Sequence, residues 1–103
     1  MTYPKFIITL KGHLRLGMVN LHKDLLIGGE QCLGGGYYEI IYDKNQLLLD
    51  GESSDFGPPL WHLIETLRVP KAYRGYSIVY KSKYDPDDQM VITSTHKIEY
   101  IDN

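Results

Sequence analysis

Gly34, Gly35 and Gly36 follow one another inside "EQCLGGGYYEI", residues 30–40. Three adjacent positions without a Cβ constrain the fold around them. Either something comes close to the backbone there, or the backbone turns in a way that side chains resist. The next stretch, Tyr37 to Tyr42, is aromatic and β-branched, which is strand composition. Tyr38, Ile40 and Tyr42 share one face of it. Two readings of the glycines are open: a structural turn into the strand, or a cradle whose bare N–H groups approach a phosphate. No GxxxxGK[ST] loop accompanies them, and spacing alone favours the turn.

The rest of the chain supplies the partners. Lys5 to Leu10, "KFIITL", is an apolar β-branched run bounded by Pro4 and Lys11-Gly12, and it predicts a strand buried on both faces. His13 to Val19 alternates Leu14, Leu16 and Met18 with His13, Arg15 and Gly17 and predicts a second strand beside it. Asn20 is a good N-cap for a short helix over "LHKDLL", which Gly28-Gly29 would end. Asp43-Lys44-Asn45 turns the Tyr37–Tyr42 strand into a partner over Gln46 to Leu49.

A loop, "GESSDFGPP" (51–59), leads to Leu60, Leu63, Ile64 and Leu67. Their i, i+3, i+4, i+7 spacing predicts an amphipathic helix, with Pro58 and Pro59 at its entrance and Pro70 at its exit. Tyr76 to Ser82 is a further strand, "YDPDDQ" a turn, and Met90 to Tyr100 supplies one or two more strands. The expected fold is α+β. A single mixed β-sheet of about six strands carries one clear helix and one short helix, in a single domain over residues 1–103.

Composition narrows the function classes. The net charge is −2 and no basic run or stripe occurs, which argues against a nucleic-acid binder. Cys32 is the only cysteine, so an intramolecular disulfide is excluded and a reducing, cytoplasmic setting is expected. Apolar stretches fall far short of the roughly 20 residues of a membrane helix. The N-terminus lacks the apolar region of a signal peptide. The four histidines, His13, His22, His62 and His96, show no HExxH spacing, and no CxxC occurs. Neither a metal nor a cofactor is expected.

His22 is the leading candidate for chemistry. In the first turn of the short helix it would meet unpaired N–H groups and a positive dipole end. That setting attracts phosphate and favours neutral imidazole, as a base or nucleophile needs. The alternative is a surface histidine. Lys5 and Arg15 read as strand-edge charges, Ser53 and Ser54 as turn residues, and the nine tyrosines as sheet packing.

Taken together, the ordered pieces resemble the small phosphohistidine phosphatase (Janus/Ocnus) family over about residues 3 to 84. "CLGGG" (32–36) and the loop "GESSDFGPP" match its CLGGG and GxSxxYGP-like segments. "LHKDLL" looks like its YHADIY segment, and "PKFIITL" like its FKYVLI segment. The resemblance implies His22 as the catalytic histidine and Lys5 as a substrate-binding lysine, with Arg15 on the preceding strand as a second cation. It implies that Ser53, Ser54 and Asp55, with the loop amides, hold the phosphoryl group, and that the glycines shape the entrance to a central strand. Asp24 would orient His22.

Four departures stand out. The segment between His22 and Cys32 is shorter. Asp55 occupies a position where a small residue is usual, and a carboxylate 4 Å from a phosphate oxygen would cost on the order of 4 kcal/mol. Tyr37 stands where the animal members carry an arginine. Residues 85–103 have no counterpart and read as an added strand or hairpin. The implied activity is metal-independent hydrolysis of a phosphoramidate P–N bond, on a phosphorylated protein or a small phosphoramidate, by a monomer or homodimer. The alternative is a non-catalytic protein- or anion-binding module on the same fold.

Overall fold

The computed structural model describes residues 1–51, 56–82 and 87–102. Strand β1 (Tyr3–Thr9) runs antiparallel to β2 (Leu14–Val19). Lys5 to Thr9 are all buried, so β1 is covered on both faces, as its unbroken run predicts. Side chains alternate between the faces. Phe6 and Ile8 enter the main core, while Ile7, equally buried, does not belong to that cluster.

Strand β3 (Cys32–Ile41) flanks β1 on its other side. A 3-10 turn over Tyr42–Lys44, closed by Asn45 in the left-handed region (φ 46°), leads into β4 (Gln46–Asp50). Asparagine tolerates that conformation, so the predicted turn chemistry holds. The chain then leaves the sheet and lays down β5 (Thr66–Pro70) in a second layer. It returns as β6 (Ser77–Lys81), parallel to β4, and a parallel neighbour requires such a crossover. Strand β7 (Gln89–Val91) completes a six-stranded sheet in the order β2-β1-β3-β4-β6-β7. The four-residue helix α1 (Ile92–Thr95) follows, and β8 (Lys97–Ile101) pairs in parallel with β5 as a separate two-stranded sheet.

The main core lies between these layers. Phe6, Ile8, Leu14, Leu47, Leu49, Ile78 and Tyr80 of the large sheet meet Ile64, Leu67 and Val69 around β5, and Ile92 of α1.

The mixed α and β character stands, but the helices differ from expectation. The amphipathic helix over Leu60 to Leu67 does not form. Trp61–Leu63 makes one 3-10 turn, and β5 begins at Thr66. Leu67 and Val69 have the period of two that a half-buried strand requires, and both are wholly buried. The neighbours decide between the patterns. Arg68 N–H donates to the Gly12 carbonyl at 2.8 Å, and Leu67 lies opposite Ile98 of β8. Leu60 and Leu63, assigned to a buried helical face, are 44% and 57% exposed.

The short helix over "LHKDLL" is a single 3-10 turn, His22–Leu25, with Leu21 rather than Asn20 as its N-cap. The only α-helical turn among the described residues, α1, falls in the stretch read as strand, and a second sheet joins the first. The glycine run is not a turn. Gly34–Gly36 lie inside β3.

Candidate functional site

The site follows from a step in the sheet. The first half of β3 pairs with β1, from Thr9↔Cys32 to Lys5↔Tyr37. The second half pairs with β4, from Tyr37↔Asp50 to Ile41↔Gln46. Among the described residues, only Tyr37 has a strand partner on both sides, and Gly34 to Gly36 have β1 on one side and no described strand on the other. The chain after β4 passes there instead, and Gly35 N–H donates to the Gly57 carbonyl at 3.4 Å.

Each glycine admits a different neighbour. A Cβ on Gly34 would stand 2.6 Å from the Pro59 Cα. One on Gly36 would overlap the Asp50 carbonyl oxygen. One on Gly35 would lie 2.7 Å from the Phe6 carbonyl oxygen and 3.2 Å from His22 Cδ2. The run thus provides close approach at all three positions, and Gly34 (φ 157°) adds a backbone conformation that side chains rarely adopt.

The second face of the sheet, away from the main core, carries Lys5, Ile7, Arg15, Gly17, Gly35 and Tyr37, as the registers Lys5↔Gly17, Ile7↔Arg15, Ile7↔Gly35 and Lys5↔Tyr37 dictate. The His22–Leu25 turn covers this face, packing on β1 and β2. His22 lies against Gly35, and Leu25 against Gly17, where an added Cβ would come within 3.1 Å of Leu25 Cδ2. The absence of side chains at 17 and 35 lets the turn settle.

Both ends of the covering segment are tied to the sheet. At one end Lys5 Nζ donates to the Asn20 carbonyl at 2.6 Å. At the other the Arg15 guanidinium forms a two-pronged pair with the Glu30 carboxylate, with Nη2–Oε2 at 2.8 Å, and also donates to the Leu25 carbonyl at 3.2 Å. Glu30 further accepts the Ile27 N–H at 2.7 Å. The Arg15 hydrogen bond, then the Ile27 N–H, hold the Glu30 carboxyl down at about 2. Within the segment, the Asp24 carboxylate accepts the Leu21 N–H at 3.0 Å. It caps the turn, and no described contact joins it to the His22 ring.

His22 is 1% exposed. Its Nε2 lies 2.9 Å from the Gly36 carbonyl oxygen. A carbonyl only accepts, so Nε2–H donates to it, and Nδ1 is the ring's other nitrogen. The ring meets Tyr37 and Phe56 edge to face, at centroid distances of 5.7 and 5.6 Å. Leu21, His22, Lys23 and Phe56 line a surface depression of about 280 Å³.

Lys5 is 5% exposed. Its ammonium stands 5.8 Å from the Tyr37 ring centroid and 6.0 Å from that of Tyr3. Among the described residues no carboxylate lies within 4.0 Å of it, and Asn20 is its one hydrogen-bond partner. An ammonium has three donors.

Lys5, Arg15 and His22 therefore share one face. Lys5 and His22 meet the same tyrosine, whereas the charge of Arg15 is compensated by Glu30. Ser53, Ser54 and Asp55 lie outside the described residues. Sequence reasoning overlooked the parts played by Tyr37 and Glu30. Strand alternation could have placed Tyr37 opposite the Tyr38–Ile40–Tyr42 face. Nothing local marks Glu30 as the partner of Arg15. Burial pushes the Cys32 thiol up, despite an opposing hydrogen bond from Gly34, so Cys32 is a poor nucleophile. Among the described residues no group of three His, Cys, Asp or Glu side chains could hold a metal ion, and no helix is long and apolar enough to cross a membrane. No family model, curated protein or solved structure matches the chain.

Proposed function

We propose that this protein is a metal-independent phosphohistidine phosphatase-like hydrolase that cleaves a phosphoramidate P–N bond. The observation carrying this reading is Lys5. A buried ammonium with one carbonyl partner and no carboxylate among the described residues is costly unless an anion completes it. A buried histidine shares its aromatic neighbour, Tyr37.

In the reaction water attacks phosphorus, the P–N bond breaks, and the nitrogen leaves with a proton as inorganic phosphate is released. Such a bond is already labile, so the protein's task is positioning and charge compensation. Lys5 offsets charge on the phosphoryl oxygens. His22, with Nε2–H fixed on Gly36, offers Nδ1 to deprotonate water or to take the phosphoryl group. The resemblance to the phosphohistidine phosphatases assigns the Ser53 hydroxyl and the 53–55 amides to the same phosphoryl group. The substrate class is a phosphorylated protein or a small phosphoramidate in the cytoplasm.

The enclosure of His22 favours a second reading, a binding module that holds an anion without turning it over. Phosphate release from a phosphohistidine-bearing protein, with EDTA present, separates the two. The wild type is expected to be active, and His22→Ala to lose about 10²–10⁴-fold. A folded wild type that binds phosphate yet releases none would leave the binding module.

A further inference from the structure

We propose that Tyr37 is a positioning residue whose aromatic ring, not its hydroxyl, sets the Lys5 ammonium and the His22 imidazole against each other so that both face one anion. This rests on the reading of Lys5 and His22 as an anion site. Three observations carry it.

Among the described residues, Tyr37 is the one position of β3 paired with strands on both sides, opposite Lys5 in β1 and Asp50 in β4. Its backbone is therefore held from two directions. Directly opposed residues of an antiparallel pair bring their Cβ atoms within about 5.5 Å, which places the Lys5 stem beside the ring. The ring then contacts both functional groups, the Lys5 ammonium at 5.8 Å and the His22 ring at 5.7 Å and 71°. The negative face of an aromatic ring attracts an ammonium, and edge-to-face contact suits two rings of complementary polarity. Finally, the Tyr37 hydroxyl has no hydrogen-bond partner among the described residues, so the ring is the part engaged. A long lysine side chain would otherwise sample many rotamers. A cation held beforehand loses less freedom when the anion arrives.

The test is NMR on the intact protein, followed by titration of the same samples with inorganic phosphate. In the wild type the Lys5 ε-methylene protons are expected upfield of their usual position, shifted by the Tyr37 ring. Tyr37→Phe should keep that shift and bind phosphate within about twofold of wild type. Tyr37→Leu should lose the shift, move the His22 ring signals, and weaken phosphate binding roughly tenfold. Tyr37→Met serves if the leucine variant does not fold.

An ordinary Lys5 shift in the wild type overturns the proposal before any variant is made. So does an unchanged shift in Tyr37→Leu, or a phenylalanine variant as impaired as the leucine one, which would assign the role to the hydroxyl. A wild type that shows the ring shift but binds no phosphate overturns the anion-site reading instead. The two failures are thereby distinct.

Discussion

Gly35→Ala tests whether the glycine run exists for close approach. The added methyl would stand 2.7 Å from the Phe6 carbonyl oxygen, and 3.2 Å from both His22 Cδ2 and Ile7 Cγ2. The first contact is with backbone paired in the sheet, so relief requires β1 and β3 to separate by roughly half an ångström, against the steep repulsive wall. Overpacking of this kind costs about 1–3 kcal/mol. The control is Gly17→Ala on the same face. Its methyl meets nothing closer than Leu25 Cδ2 at 3.1 Å, the far end of a half-buried side chain, and Val19 Cγ1 at 3.8 Å. Leu25 can yield, and replacing glycine lowers the entropy of the unfolded chain, a gain of about 0.4–1 kcal/mol. The two alanines should therefore differ by at least about 1 kcal/mol. Urea denaturation followed by the fluorescence of Trp61, the sole tryptophan, resolves that difference, because at a slope near 1 kcal/mol/M it moves the midpoint by about 1 M. Trp61 packs edge to face on Tyr80 at 5.2 Å and senses loss of the core. Equal midpoints for the two variants would refute the close-approach account.

Other outcomes follow from the same geometry. Lys5→Met keeps the apolar stem and removes the buried ammonium. It should leave stability unchanged or raised by about 1 kcal/mol, while phosphate binding by calorimetry disappears. Glu30 has its pKa depressed from 4.5 to about 2, by Arg15 first and the Ile27 N–H second. Its contribution is thus present above pH 4.5 and lost as pH falls toward 2, so Glu30→Gln should flatten the stability–pH curve in that window. The His13 pKa is shifted down by burial first, then by Arg15 and Arg68, which favours the neutral form in the fold. Stability should fall as pH drops below its ordinary 6.5, and His13→Gln should remove that limb in thermal melts. Lys71→Ala breaks an exposed ion pair, Nζ–Oδ1 2.7 Å to Asp102, and should change stability by less than about 0.5 kcal/mol.

Much of the large sheet was legible because its signals are local. β1 reads as a doubly covered strand, β2 alternates, and Asp43-Lys44-Asn45 turns β3 into β4. The failures share a cause. Leu60, Leu63, Ile64 and Leu67 fit a helical face, and only the pairing of Leu67 with Ile98 and of Arg68 with Gly12 shows that a strand forms. Those partners are remote in sequence, and propensity yields to them. The reading of the glycines as a turn failed for the same reason. Pro59, His22 and Asp50, which come close to them, are named by no local pattern. Lys5 and His22 were singled out by the resemblance. Their convergence on Tyr37 was not, because it depends on the register of β1 against β3.

That register also explains why the site sits where it does. Among the described residues β1 and β4 overlap on β3 only at Tyr37, opposite Lys5, so the preceding glycines have β1 alone beside them. A buried step of this kind leaves backbone groups to satisfy. His22 meets the Gly36 carbonyl and Gly57 meets the Gly35 N–H. A serine or asparagine could serve the first role without a titratable ring, and a methionine could fill the space of Lys5 without a buried charge. Apolar replacements of buried charges are often neutral or stabilising. Structure alone therefore gives little reason for an ammonium and an imidazole at this step. A ligand that needs a cation and a proton acceptor side by side gives one.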